Sequence, residues 1–192
     1  MQLSSDAPAE FFLSSKNVGE VMEPRFVGRS ASFQCGAVVR ISLRVDESQR
    51  IAEAKFKAAG CTVLVASASL LIDQILGKTT GEAASLGQRS ETLKDQLGDL
   101  PCERRECPAM ACEALLAAIR NYSDSARDDW EAHEALICTC FCVSERTIER
   151  EIQTHRLKTI SEVTATCNAG AGCRSCYPLI EDILEEVNGK LE

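Results

Sequence analysis

Cysteine is the residue of this chain best placed to do chemistry: the 192 residues include 11 cysteines and 2 histidines, His133 and His155. The cysteines form two groups: Cys35, Cys61, Cys102, Cys107 and Cys112, then Cys138, Cys140, Cys142, Cys167, Cys173 and Cys176. The opening residues, MQLSSDAPAEFF, hold neither a basic region nor a long apolar core, so they do not read as a secretory signal. Without an export signal, so many thiols point to metal or redox chemistry rather than to a disulfide framework. Their odd number also excludes complete internal pairing. With so few histidines, a mixed Cys/His zinc site is poorly supplied.

The second group is the denser. Cys138-x-Cys140 and Cys173-x-x-Cys176 are separated by 32 intervening residues, and four thiolates from two short loops can surround a compact metal centre. Iron–sulfur clusters and zinc both prefer such ligands, although a CxC half is unusual for a zinc ribbon. Ile137, Phe141 and Val143 would shelter a cluster, and the run Asn168-Ala169-Gly170-Ala171-Gly172 lets backbone N–H groups approach it closely. Cys176 sits just before a helix N-terminus, where the dipole favours a thiolate. Cys142 reads as a packed thiol and Cys167 as a helix residue. A register using Cys140 and Cys142 is the alternative.

In the first group, Cys35, Cys61 and Cys107 are far apart, yet each falls at an element boundary. If a strand end and two helix starts converge, three thiolates enter one exposed pocket, where helix N-termini would lower their pKa values. Scattered core cysteines would give the same pattern.

The elements that must position these thiols follow from periodicity. Residues 37–45, AVVRISLRV, alternate, with Val39, Ile41, Leu43 and Val45 on one face. A turn at Asp46-Glu47-Ser48 leads to residues 51–58, which alternate again, so the pair reads as an antiparallel hairpin. Beyond Gly60, Leu64, Ala68, Leu71, Ile72 and Ile75 have helical spacing, with Gly77 as the C′ residue. A second helix starts near Cys107-Pro108, with Leu115, Leu116 and Ile119 inward. Residues 121–134, NYSDSARDDWEAHE, are polar and acidic and read as a linker, with Trp130 as a contact to one of the modules. Further helices are expected from Ser144, from Thr159 (a capping box with Glu162) and from Pro178 to Gly189, with no strand pair among them. The fold class is therefore α+β, a small antiparallel sheet packed with helices, followed by a small all-α part. The boundaries are 1–121, a linker at 122–135, and 136–192.

Residues 136–187, with ICTCFCVSERTIEREI and LKTISEVTATCNAGAGCRSCYPLIEDIL, resemble the Bfd-like [2Fe–2S] domain of NifU proteins. The resemblance implies Cys138, Cys140, Cys173 and Cys176 as ligands of a permanent [2Fe–2S] cluster. Residues 11–121 resemble the NifU/IscU scaffold domain through SKNVGEV, FQCGAVVRISLRVD, AKFKAAGCTVLVASASLL and LPCERRECPAMACEALLAAIRNY. Here it implies Cys35, Cys61 and Cys107 as the scaffold cysteines. Two positions depart from the pattern: Ala37 stands where the family has Asp, and Glu106 where it has His before the third cysteine. Glu106 could supply an oxygen ligand, or Cys102 a fourth sulfur; Cys112, five positions past Cys107, would point away on a regular helix. LPCERRE also departs from the chaperone-recognition segment of IscU, so no such chaperone is implied. The chain stops at Glu192, and the third, CxxC-bearing carrier domain of full-length members is expected to be absent.

The function implied is a scaffold, not an enzyme. A cysteine desulfurase passes sulfur to the first cysteine group, iron joins, and a transient [2Fe–2S] or [4Fe–4S] cluster forms and passes to apo Fe–S acceptor proteins. The second module keeps its cluster and calls for an electron donor, and the family suggests a homodimer. The alternative is an electron carrier or redox sensor whose first module is a degenerate scaffold used for docking; a zinc-binding interaction module is a third reading. A net charge of −8 disfavours nucleic acid. No apolar stretch is long enough to span a bilayer, and a cytoplasmic location is expected. Gly77-Lys78-Thr79 is not a P-loop, because Ile72 occupies the first glycine position. Arg104-Arg105 reads as surface charge, and His133 and His155 as solvated side chains.

Overall fold

The computed structural model describes residues 16–23, 26–46, 48–128 and 134–190. Trp130, His133 and the opening residues therefore lie outside the described residues. Three antiparallel strands, β1 (Phe26–Ala31), β2 (Val38–Val45) and β3 (Ile51–Ala59), form a sheet in sequence order. Val39, Ile41 and Leu43 are fully buried on its inner face, as their alternation requires. A bulge between Arg44 and Val45 then changes the phase, pairing Val45 with Ile51. Ile51 turns inward and Ala52 outward, whereas unbroken alternation had placed Ala52 with Ala54 and Phe56. Ser42, on the expected solvent face, is also buried. Its hydroxyl accepts the Val21 N–H at 3.1 Å, because residues 17–21 run back along this edge and tie Gly19 and Asn17 to Phe56.

Five further elements complete this half: α1 (Thr62–Ile75), α2 (Thr80–Gly87), α3 (Ser90–Leu97), a 3-10 turn (Cys102–Arg104) and α4 (Cys107–Asp128). The long α4 lies over β1 and β2, α1 lies over β3, and the two helices pack on each other. Leu64, Leu71, Ile72 and Leu115 fill the layer between helices and sheet. Gly77-Lys78-Thr79 is the stop of one helix and the start of the next. Leu76 is the C-cap of α1, Gly77 follows at φ +75°, and Thr79 forms a capping box with Glu82.

Two expectations need correction. The acidic segment expected to begin a linker at residue 121 is helical up to Asp128. Three of its first residues have partners in the fold: Asn121 Oδ1 accepts the Val27 N–H at 3.0 Å, Tyr122 meets Phe26 edge-on with ring centroids 5.0 Å apart, and Ser123 is buried. The second half, expected to be all-helical, also contains a short ribbon, β4 (Leu136–Cys138) paired with β5 (Val143–Ser144). Strands this short cannot show a period of two in sequence. The ribbon leads into α5 (Glu145–His155, N-cap Ser144), α6 (Ile160–Cys167, Thr159/Glu162 capping box) and α7 (Tyr177–Gly189), which pack around Ile148, Ile152, Val163, Ile180 and Leu184.

Candidate functional site

The first thiol group is built where the β1–β2 loop, the end of β3 and two helix starts meet. In the loop, Ser32 N–H bonds Ala37 O at 2.8 Å and Gly36 N–H bonds Ser32 O at 2.9 Å, and this turn presents Cys35 to solvent. The Ser32 hydroxyl and the Ala37 amide favour its thiolate and hold the pKa below the ordinary thiol value. Cys61 is the N-cap of α1 and Cys107 opens α4, and the packing of these helices brings the two Sγ atoms to 3.4 Å. Burial raises the Cys61 pKa. The amides of Leu64 and Val63, the Cys107 thiol and Arg104 outweigh it, so the net direction is down. Cys107 is buried, and burial together with the adjacent Cys61 pushes it up to about 12. The two environments thus push the pair in opposite directions, Cys61 toward the thiolate and Cys107 toward the protonated thiol.

Arg104 lies within electrostatic reach of Cys35, Cys61 and Cys107 alike. From the sequence it reads as surface charge; its position three residues before Cys107 is the signal that points to the site. Cys102 and Glu106 are both exposed, the first in the 3-10 turn and the second acting on Lys94. Neither makes a described bond to the Cys61–Cys107 pair. Cys112 is buried five residues further along α4, and burial pushes its thiol up to about 11. Ala37 is buried against Gly60 and brings no ligand atom.

The second thiol group consists of two facing pairs. Cys140 and Cys173 approach to 3.5 Å between Sγ atoms, and Cys138 faces Cys176. Gly172 makes the first approach possible, since a Cβ there would stand 2.8 Å from Cys140 Cβ and 2.9 Å from its Sγ. Cys173 is exposed, and the Ser175 hydroxyl and amide, with Cys140, lower its pKa to about 7. Burial and the nearby Cys138 push Cys176 up to about 11. The Cys173 amide favours the Cys140 thiolate, but burial and the thiols of Cys173 and Cys138 outweigh it and leave the pKa raised. Crowded thiols resist ionising together, which is why Cys140 and Cys176 are raised beside their neighbours. Cys167 stays outside the set, its Sγ 3.3 Å from Val163 O within α6. Cys142 also stays outside, with its Sγ 3.3 Å from Ser123 O. Among the described residues, no three Cys, His, Asp or Glu side chains have the spacing of a single-ion site.

Residues 5–128 match the family model for the NifU-like N terminal domain, and residues 136–186 match that for the BFD-like [2Fe-2S] binding domain. The chain is 36% identical to the nitrogen fixation protein NifU of Azospirillum brasilense over 97% of its own length and 60% of that protein's. It is 37% identical to NifU of Trichormus azollae, covering 95% of this chain and 63% of the relative. The chain thus spans about three fifths of the length of these curated relatives. The iron-sulfur cluster assembly scaffold protein IscU of Azotobacter vinelandii is 31% identical, with 62% of this chain and 92% of that one covered. Among solved structures, an iron-sulfur cluster assembly scaffold protein for the SUF system from Fervidobacterium islandicum superposes with a TM-score of 0.54 at 22% identity, covering 60% of this chain and 96% of that one. A NifU-like N-terminal protein from Brucella abortus gives 0.52 at 18% identity, covering 62% and 92%. At such identities these two likenesses speak to the fold alone. Among the described residues, no helix is long and apolar enough to cross a membrane.

Proposed function

The chain belongs to the NifU-like N terminal domain family, and on that premise we propose that it is an iron–sulfur assembly scaffold, not an enzyme. Its first thiol group builds a cluster as cargo, and its second group holds a resident [2Fe–2S] cluster. The observation that carries the reading is the 3.4 Å approach of Cys61 and Cys107 at two helix starts, with Cys35 and Arg104 beside them.

A persulfide from a cysteine desulfurase would be taken up by thiol exchange. The Cys61 thiolate attacks the terminal sulfur, a new S–S bond forms on Cys61, and the desulfurase leaves as its own thiolate. Arg104 favours the attacking anion, and Cys107 keeps its proton until iron displaces it. Building a cargo of two ferric ions and two sulfides from two ferrous ions and two sulfane sulfurs takes four electrons. The irons supply two, and an electron donor must supply the others. Phe33, fully exposed at the tip of the loop carrying Cys35, offers a partner an aromatic handhold beside the thiols. Release to apo acceptor proteins follows by the same ligand-by-ligand exchange.

The residues of the second group fit the resident cluster: four sulfur donors are arranged as two pairs, and Gly172 leaves open a space that a side chain would fill. When bound, such a cluster accepts and returns one electron. Cys138, Cys140, Cys173 and Cys176 would hold it, Ser175 favours the exposed Cys173 thiolate, and Phe141 and Ile137 exclude water.

The test is reconstitution of the whole chain with desulfurase, cysteine and ferrous iron. Cys61→Ala and Cys107→Ala should abolish cluster assembly and transfer on the first group while the second group's iron remains. Unchanged assembly and transfer in both variants would sink the proposal. A second reading, a cluster-carrying redox protein whose first half serves for docking, is favoured by Ala37, which brings no ligand atom to the first thiol group. Reversible redox cycling with no transfer from a correctly loaded chain would decide for it.

A further inference from the structure

The two thiol groups stand at opposite ends of the N-terminal half. Cys61 caps the start of α1, and the Gly77–Gly81 segment follows the end of that fourteen-residue helix, about 21 Å away at 1.5 Å per residue. Cys107 begins α4, and Ser123 lies sixteen residues along it, about 24 Å away. It is this far end that carries the second thiol group. Cys142, two residues after Cys140, places its Sγ 3.3 Å from Ser123 O. Asn168, five residues before Cys173, is 1% exposed and holds a left-handed φ of +62°. Its Oδ1 accepts the Gly81 N–H at 3.1 Å, and its Nδ2 donates to Gln49 Oε1 at 2.6 Å. The fit is close: a Cβ on Gly81 would come within 2.6 Å of Asn168 Oδ1 and 2.8 Å of Ala171 Cβ. Both loops that bear the candidate ligands are thus also the loops that touch the other half.

We propose that docking of the two halves and loading of the second thiol group are one coupled equilibrium, with the Asn168 amide as the latch. This rests on the reading that Cys138, Cys140, Cys173 and Cys176 hold an iron–sulfur cluster. Binding at Cys173 and Cys176 orders the segment from Asn168 onward, and the same segment must be ordered for Asn168 to reach Gly81 and Gln49. Whatever loading contributes to docking, docking returns to loading, because the linkage is reciprocal. The arrangement also leaves the Cys35–Cys61–Cys107 end clear for partners.

Hydrogen exchange on the full chain, loaded and after iron removal by a chelator, tests this. In the loaded chain the Gly81 amide should be protected, and iron removal should speed its exchange at least tenfold. Asn168→Ala should expose Gly81 in the loaded chain and shorten the lifetime of the visible chromophore under chelator at least severalfold. Gln49→Ala, at a half-buried turn position of the other half, removes one of the two latch hydrogen bonds and should act in the same direction. Equal Gly81 exchange in loaded and iron-free chains overturns the coupling, as does a variant that frees Gly81 while leaving the chromophore lifetime unchanged. Iron and sulfide counted per chain keep the two ideas apart: a chain with those four cysteines intact that takes up no iron defeats the ligand reading and the coupling with it.

Discussion

Cys61 and Cys107 are 46 residues apart in sequence and 3.4 Å apart in space, each at the first turn of a helix. Their environments push them in opposite directions: Cys61 is drawn toward the thiolate by helix-start amides and Arg104, while Cys107 is held protonated by burial.

In metal-free protein, alkylation should follow thiolate population. Cys35 and Cys61 lie below the ordinary thiol value, whereas Cys112 and Cys167 are pushed up to about 11. Near pH 8 only about one in a thousand of the latter is ionised, and burial shields them further. Peptide mapping after a short iodoacetamide pulse should show Cys35 and Cys61 labelled at least tenfold faster. Equal rates would contradict the assigned environments.

Arg104→Gln removes the positive charge shared by the three thiols of the first group. Their pKa values should rise, so labelling of Cys35 and Cys61 at neutral pH should slow, and their pH–rate profiles should move to higher pH. Cys173, whose low value comes from Ser175, should keep its profile. A displaced Cys173 profile would mean that the substitution had disturbed the whole chain.

Gly172→Ala places a methyl group within 2.9 Å of Cys140 Sγ. The loop must shift, and one thiol pair opens. In a Cys61→Ala/Cys107→Ala background, iron and sulfide per chain should fall by at least half while far-ultraviolet dichroism is retained. Full loading would show that the close approach is not needed.

Leu115→Ala removes a fully buried side chain of α4. The expected cost is about 2–5 kcal/mol, read as a lower denaturation midpoint with little change in slope. A loss below about 0.5 kcal/mol would mean that the core between α4 and the sheet is not packed as described.

Much of this was legible locally. Alternation in 37–45, helical spacing in 62–75, the Thr159/Glu162 box and the CxC and CxxC pairs each act over a few residues, and the structure contains all of them. Misses came where local signals were weak or overridden. β1 carries a poor period, α2 and α3 are two turns each, and the polar start of the expected linker is helical because Asn121, Tyr122 and Ser123 have partners elsewhere in the fold.

By itself the sequence determined which thiols stand as close pairs along the chain and that each of Cys35, Cys61 and Cys107 falls at an element boundary. Backbone period and turn chemistry are short-range, so one strand of residues suffices to specify them. Only the tertiary structure decided that Cys61 meets Cys107, that Arg104 lies within electrostatic reach of all three thiols, and that Asn168 joins the second thiol group to the far end of the first half. Those relations depend on how α1 and α4 pack across the sheet, a long-range property that burial of Leu64, Leu71, Ile72 and Leu115 sets for the molecule as a whole.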